Sequence, residues 1–150
     1  MVSIGTQFDL TVIQGSSFEW LIKVLDVNGS PLNMTGYTGG TAGARGQIRK
    51  KYEDVSPTKS FTITILNKTG INSAITAGNC HLTTQEIADL EPDSAGKCYL
   101  LVRLPASDTT SLIKGNYFYD IEVEDTTGFV FKPYFGQVSV LPEATKAVAP

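Results

Sequence analysis

The sequence predicts an all-β fold: a single antiparallel immunoglobulin-like β-sandwich of about seven to eight strands, with one or two short helical turns. Three observations carry that reading. Short runs rich in β-branched and aromatic residues recur along nearly the whole chain. Within them, apolar and polar residues alternate with the period of two that a half-buried strand requires. Between them stand Gly, Asn, Asp and Pro in turn-forming combinations. A chain of 150 residues suffices for one domain with a real core. Residues 1–141 are read as that domain and 142–150 as an extended tail.

Taken in order, Gln7 to Ile13 alternates Phe8, Leu10 and Val12 with Gln7, Asp9 and Thr11. Gln14-Gly15-Ser16 turns the chain into a strand from Phe18 to Leu25, with Phe18, Trp20, Ile22 and Val24 on one face. Asp26 to Pro31 supplies Asn28-Gly29 for a tight turn and a proline to end pairing. After a glycine-rich stretch, strand character resumes from Gly46 to Tyr52, and again in the β-branched run Ser60 to Leu66. Cys80-His81-Leu82 is expected to be a short strand. Thr83 and Glu86 form a capping box that opens a helical turn through Leu90, and Pro92 stops it.

Strand resumes from Cys98 to Leu104, and Ser107 to Leu112 reads as a capped helical turn closed by Gly115. Asn116 to Glu124 alternates cleanly, and Asp125 to Gly128 makes a hairpin into Phe129-Val130-Phe131. Gly136 to Leu141 is the last strand, and Pro142 to Pro150 has no periodicity. Phe18, Trp20, Ile22, Ile63, Leu101, Tyr119, Ile121 and Val138 are expected to contribute to one core.

Composition narrows the function. A net charge of −3 and a pI near 5.1 argue against a general nucleic-acid binder. No apolar run approaches a membrane span, and Met1 to Gly5 has neither the basic nor the apolar region of a signal peptide. A soluble product made in a cytoplasm is the expectation. Cys80 and Cys98 are too few for a disulfide framework or a zinc site, and read as small buried thiols. His81 is the sole histidine, with no serine near it in a nucleophile-elbow context, and reads as a hydrogen-bonded structural residue. No phosphate-binding or zinc-protease motif is present.

Asp120, Glu122 and Glu124 share one strand face beside Asp125. They read as the wet side of a strand, because calcium ligands gather on a bent loop and this segment is straight. Arg45, Arg49, Lys50 and Lys51 form the basic counterpart, with only Tyr52 nearby to stack a base. A strand edge guarded by lysine accounts for them, and contact with an acidic neighbouring subunit is the functional rival. Gly39, Gly40, Thr41, Ala42, Gly43 and Ala44 have no side chain large enough to pack. Glycine runs lose the most backbone entropy on ordering, so this is either a free loop tip or a segment ordered by something outside the chain. The candidate protein-interface residues are therefore Gly39, Gly40, Thr41, Ala42, Gly43, Arg45, Arg49, Lys50, Pro142, Val148 and Pro150.

Four stretches carry a resemblance. They are the corner Ile13, Gln14 and Gly15; the turn Asp26, Gly29, Pro31, Asn33, Thr35, Gly36 and Tyr37; the strand Arg45, Gln47, Ile48 and Arg49; and the strand Gly115, Tyr117, Tyr119, Asp120 and Ile121. In this order, over about Phe8 to Leu141, the chain resembles a family of small tailed-phage virion structural modules. It is similar to the N-terminal immunoglobulin-like domain of baseplate upper proteins. That resemblance implies a virion structural role without catalysis, cofactor or metal. Its partners would be other virion proteins and copies of itself, with no nucleic acid and no membrane. Members run almost directly from the Gly36-Tyr37 turn into the arginine strand, so Gly39 to Ala44 is an insertion. The alternative reading is a carbohydrate- or host-surface-binding sandwich, with Tyr134 and Phe135 as its exposed aromatics, or a capsid decoration protein.

Overall fold

Two sheets share one apolar core in the computed structural model, which describes residues 5–37 and 43–144. The strands are β1 (Thr6–Gln7), β2 (Leu10–Ile13), β3 (Phe18–Lys23), β4 (Gly43–Arg49), β5 (Lys59–Ser60), β6 (Thr62–Leu66), β7 (Tyr99–Leu104), β8 (Gly115–Glu124) and β9 (Val130–Leu141). Three helices join them: α1 (Lys68–Thr76), α2 (Thr84–Ala88) and α3 (Ala106–Thr110). One sheet has six strands in the order β1-β9-β8-β4-β5, with β2 also on β9; the other has three, β3-β7-β6. Pairings are antiparallel except that β1 and β2 run parallel to β9. Among the described residues no helix is long and apolar enough to cross a membrane.

The expected alternation is plainest in β8, where Tyr117, Tyr119, Ile121 and Val123 are buried and their neighbours are not. They meet Leu100, Val102 and Leu104 of β7, Ile22 of β3 and Val138 and Val140 of β9 in the main core. Phe18, Trp20 and Ile63 pack against this cluster only partly buried. Leu101 departs from the expected single core. It points to the opposite face of the three-stranded sheet and joins a second cluster with Ile71, Cys80, Leu90, Cys98 and Tyr99. Helix α1, absent from the sequence expectation, contributes Ile71, Ala74 and Ile75 to that outer layer. Both cysteines are free and buried there, as expected of small apolar thiols.

Other boundaries shift for local reasons. The run Gln7 to Ile13 is broken at Phe8-Asp9, where the Asp9 carboxylate accepts the Gln137 amide at 3.0 Å. Gly136 permits the crossing: a Cβ there would lie 2.5 Å from the Phe8 carbonyl oxygen. Strand β9 runs unbroken through Pro133, because the register shift opposite Glu122 gives β9 two residues there against one on β8. A bulge is where a strand tolerates a missing N–H. Cys80-His81-Leu82 is not a strand. The Thr83 capping box is present with both reciprocal bonds, whereas α3 starts at Ala106, ahead of Ser107, after an uncapped Pro105.

Candidate interaction surface

The basic strand and the acidic strand turn out to be neighbours. Arg45 on β4 stands opposite Glu122 on β8, donates to its carboxylate, and reaches Glu124 at 3.2 Å. Lys132 on β9 donates to Asp120 at 2.8 Å and lies 3.5 Å from Glu122. The hydrogen bond to Asp120 holds the Lys132 ammonium above its ordinary range. The outer face of the six-stranded sheet thus carries a positive–negative–positive row across β4, β8 and β9. The carboxylates expected on the wet side of a strand are there, each facing a cation. Among the described residues no three His, Cys, Asp or Glu gather as a metal site.

Arg49 and Lys50 are engaged within the fold. The Arg49 guanidinium donates to the Asp54 carbonyl and to Gln47 Oε1, both at 2.6 Å. It thereby ties down the turn in which the Lys51 amide donates to the Asp54 carboxylate at 3.0 Å. The Lys50 ammonium sits 4.5 Å from the centre of the Tyr117 ring, a cation–π contact. Gly43 also differs from expectation. It is buried and opens β4 opposite Glu124, with Ala44 next to it packed against the core. The Gly43 φ of 97° is one that L side chains rarely adopt, so this end of the glycine stretch belongs to the fold. Gly39, Gly40, Thr41 and Ala42 lie outside the described residues.

The tail begins on its own domain. The Glu143 amide donates to Gln14 Oε1 at 3.3 Å, while Gln14 Nε2 donates to the Leu112 carbonyl at 2.6 Å. Pro142 leads into this contact, and Val148 and Pro150 lie outside the described residues. The same corner is braced by Thr109, whose buried hydroxyl accepts the Gly15 amide at 3.1 Å and donates to the Ser16 carbonyl at 2.8 Å. Beside it Ile13 and Leu141 are paired neighbours, 48% and 45% exposed, and Ile113 on the adjoining loop is 75% exposed. An apolar patch therefore marks the end of the sandwich where the chain leaves β9.

The aromatics redistribute the carbohydrate reading. Tyr134 faces inward, with its ring 4.9 Å from Trp20 in edge contact, so it offers no open platform. Phe135 remains partly exposed. The exposed stack is one that sequence reasoning missed: Tyr52 lies over Phe118 at 4.2 Å, rimmed by Gln47, Arg49 and Asp120. The pair forms across a turn and a strand, and only the β4–β8 register brings it together. His81 is exposed, its Nδ1 2.8 Å from Glu19 Oε1 and its amide donating to the same carboxylate at 3.0 Å. The hydrogen bonding expected of it is there. No protein-family model matches this chain, and no curated protein matches it.

Proposed function

We propose that this chain is a non-enzymatic bacteriophage virion structural protein, a tail, baseplate or neck component acting through contacts with other virion proteins and with copies of itself. The observation that carries the reading is the use made of the residues behind the resemblance. Gln14 and Gly15 brace a corner, Asp26 and Asn33 accept amides within their own turns, and Tyr117 and Ile121 are core. Residues shared by scaffold modules are expected to build the scaffold, leaving edges and ends for contact. The immunoglobulin-like assignment is supported by Tyr117, near the start of β8, whose hydroxyl donates to the Ile113 carbonyl four residues upstream at 2.6 Å. That is the arrangement of a tyrosine corner.

Fractionation of purified particles into heads and tails, followed by mass spectrometry, tests the proposal. The chain is expected in the tail fraction at fixed stoichiometry. Recovery only with heads would favour capsid decoration, and absence from particles would overturn the virion reading. A second reading, host-glycan binding, draws on the Tyr52–Phe118 stack, because aromatic rings flanked by polar groups suit a sugar face. It predicts saturable binding on a glycan array that Tyr52→Ala abolishes without changing thermal stability.

A further inference from the structure

We infer that the open edge of β3 pairs with the β3 edge of a second copy of this chain, about a two-fold axis through Leu21. Among the described residues β3 has a single strand neighbour, β7. It is six residues long and carries neither proline nor bulge, and such an edge is a template for another strand. The outer strands of the six-stranded sheet are short. β1 and β5 have two residues each and β2 has four; β6, five residues long, is the opposite edge of the same sheet as β3 and lacks the paired opposite charges that β3 carries.

Hydrogen-bond parity identifies the groups that point outward. The Val24 amide donates to the Cys98 carbonyl at 2.9 Å, continuing the β3–β7 register by one pair. Antiparallel ladders alternate hydrogen-bonded and non-bonded pairs. Phe18, Trp20, Ile22 and Val24 therefore turn their backbone groups toward β7, and Glu19, Leu21 and Lys23 turn theirs away from it. The side chains agree with an uncovered edge: Phe18, Trp20 and Leu21 remain partly exposed, while β7 is buried almost throughout.

Charge selects the occupant. Glu19 and Lys23 flank Leu21 symmetrically on one strand face. An antiparallel copy centred on Leu21 sets each Glu19 opposite the other copy's Lys23 and each Leu21 opposite its twin. Opposite charges in directly opposed positions favour pairing, and like charges disfavour it. The interface is isologous, so every contact off the axis occurs twice and the assembly closes. Both ionic groups are already oriented with capacity to spare. The Glu19 carboxylate is held by His81 and lies 3.9 Å from Arg103 Nε, and the Lys23 ammonium lies 3.1 Å from Glu91; a carboxylate has about four acceptor sites and an ammonium three donors.

Sedimentation velocity on the intact protein, with Glu19→Lys and Lys23→Glu variants, tests the pairing. The unmodified protein is expected to dimerise with rising concentration. Each variant alone opposes like charges twice and stays monomeric, while an equimolar mixture restores two opposite-charge pairs and dimerises. A protein that is monomeric at millimolar concentration, or variants that dimerise as well as the unmodified chain, would overturn the inference. Residue-resolved hydrogen exchange on the unmodified protein needs no variant to fold. The Glu19, Leu21 and Lys23 amides should gain protection as concentration rises, and concentration-independent fast exchange at these three would equally overturn it.

Discussion

At the scale of single residues, the fold is tightest where chains cross. A Cβ on Gly136 would lie 2.5 Å from the Phe8 carbonyl oxygen and 2.9 Å from Asp9 Oδ1, so no side-chain rotation can make room. Gly136→Ala is expected to cost roughly 1–3 kcal/mol, read as a lower urea midpoint with an unchanged slope. Tyr119 supplies a pH-dependent counterpart. Burial, reinforced by the Asp9 charge, pushes its phenol well above the ordinary range. The folded state then keeps a proton that the unfolded state loses above a pH of about 10. Its contribution is complete below that pH, and stability falls as pH rises beyond it. Tyr119→Phe should flatten this alkaline fall, leaving a residual slope from Tyr37 and Tyr99, which burial also raises. It should also cost about 0.5–1.5 kcal/mol at neutral pH by removing the bond to the Phe8 carbonyl. Alkaline melts of both proteins check the pair of effects.

At the scale of elements, the outer layer on the three-stranded sheet depends on caps. Helix α1 is opened by the Asn67 side chain, which accepts the Gly70 amide at 2.8 Å, and by Asp93, which accepts the Thr69 amide at 3.0 Å. Asn67→Ala is expected to lose about 1 kcal/mol and to loosen the layer that covers the cysteines. Thiol labelling checks this: Cys80 and Cys98, buried and with thiols raised by burial, should react slowly in the intact protein and faster in the variant. The same elements show what the sequence exposes and what it hides. β8 and the Thr83 box are legible because alternation and capping are local signals. Helix α1 is obscured because Thr69, Gly70, Asn72 and Ser73 are weak helix formers, leaving only the Asn67 cap and the Ile71, Ala74, Ile75 spacing. The gap expected between Phe131 and Gly136 is absent because a bulge absorbs the missing N–H of Pro133, and a bulge depends on the partner strand. The parallel placement of β1 and β2 on β9 is likewise a matter of pairing, which alternation within one strand does not encode.

At the scale of the whole molecule, charge on the outer face of the six-stranded sheet is settled internally and apolar surface is left at the margins. Arg45, Glu122, Lys132 and Asp120 satisfy one another across three strands. Ile13, Ile113 and Leu141 remain uncovered at one end, and Phe129, 51% exposed, follows the hairpin turn at the far end of β8. The candidate surface was legible as residue types and not as an arrangement: Arg49 and Lys50 were visible, but their Asp54 and Tyr117 partners arise from the turn and the strand behind it. A chain built this way should act by being held between neighbours. Cross-linking mass spectrometry on purified particles tests that claim most directly. The chain is expected to be present, with lysines at the sandwich margins, Lys51 and Lys114, cross-linked to tail, baseplate or neck proteins or to other copies of itself. Particles that lack the chain, or that carry it with no cross-link beyond its own domain, would overturn the proposed role.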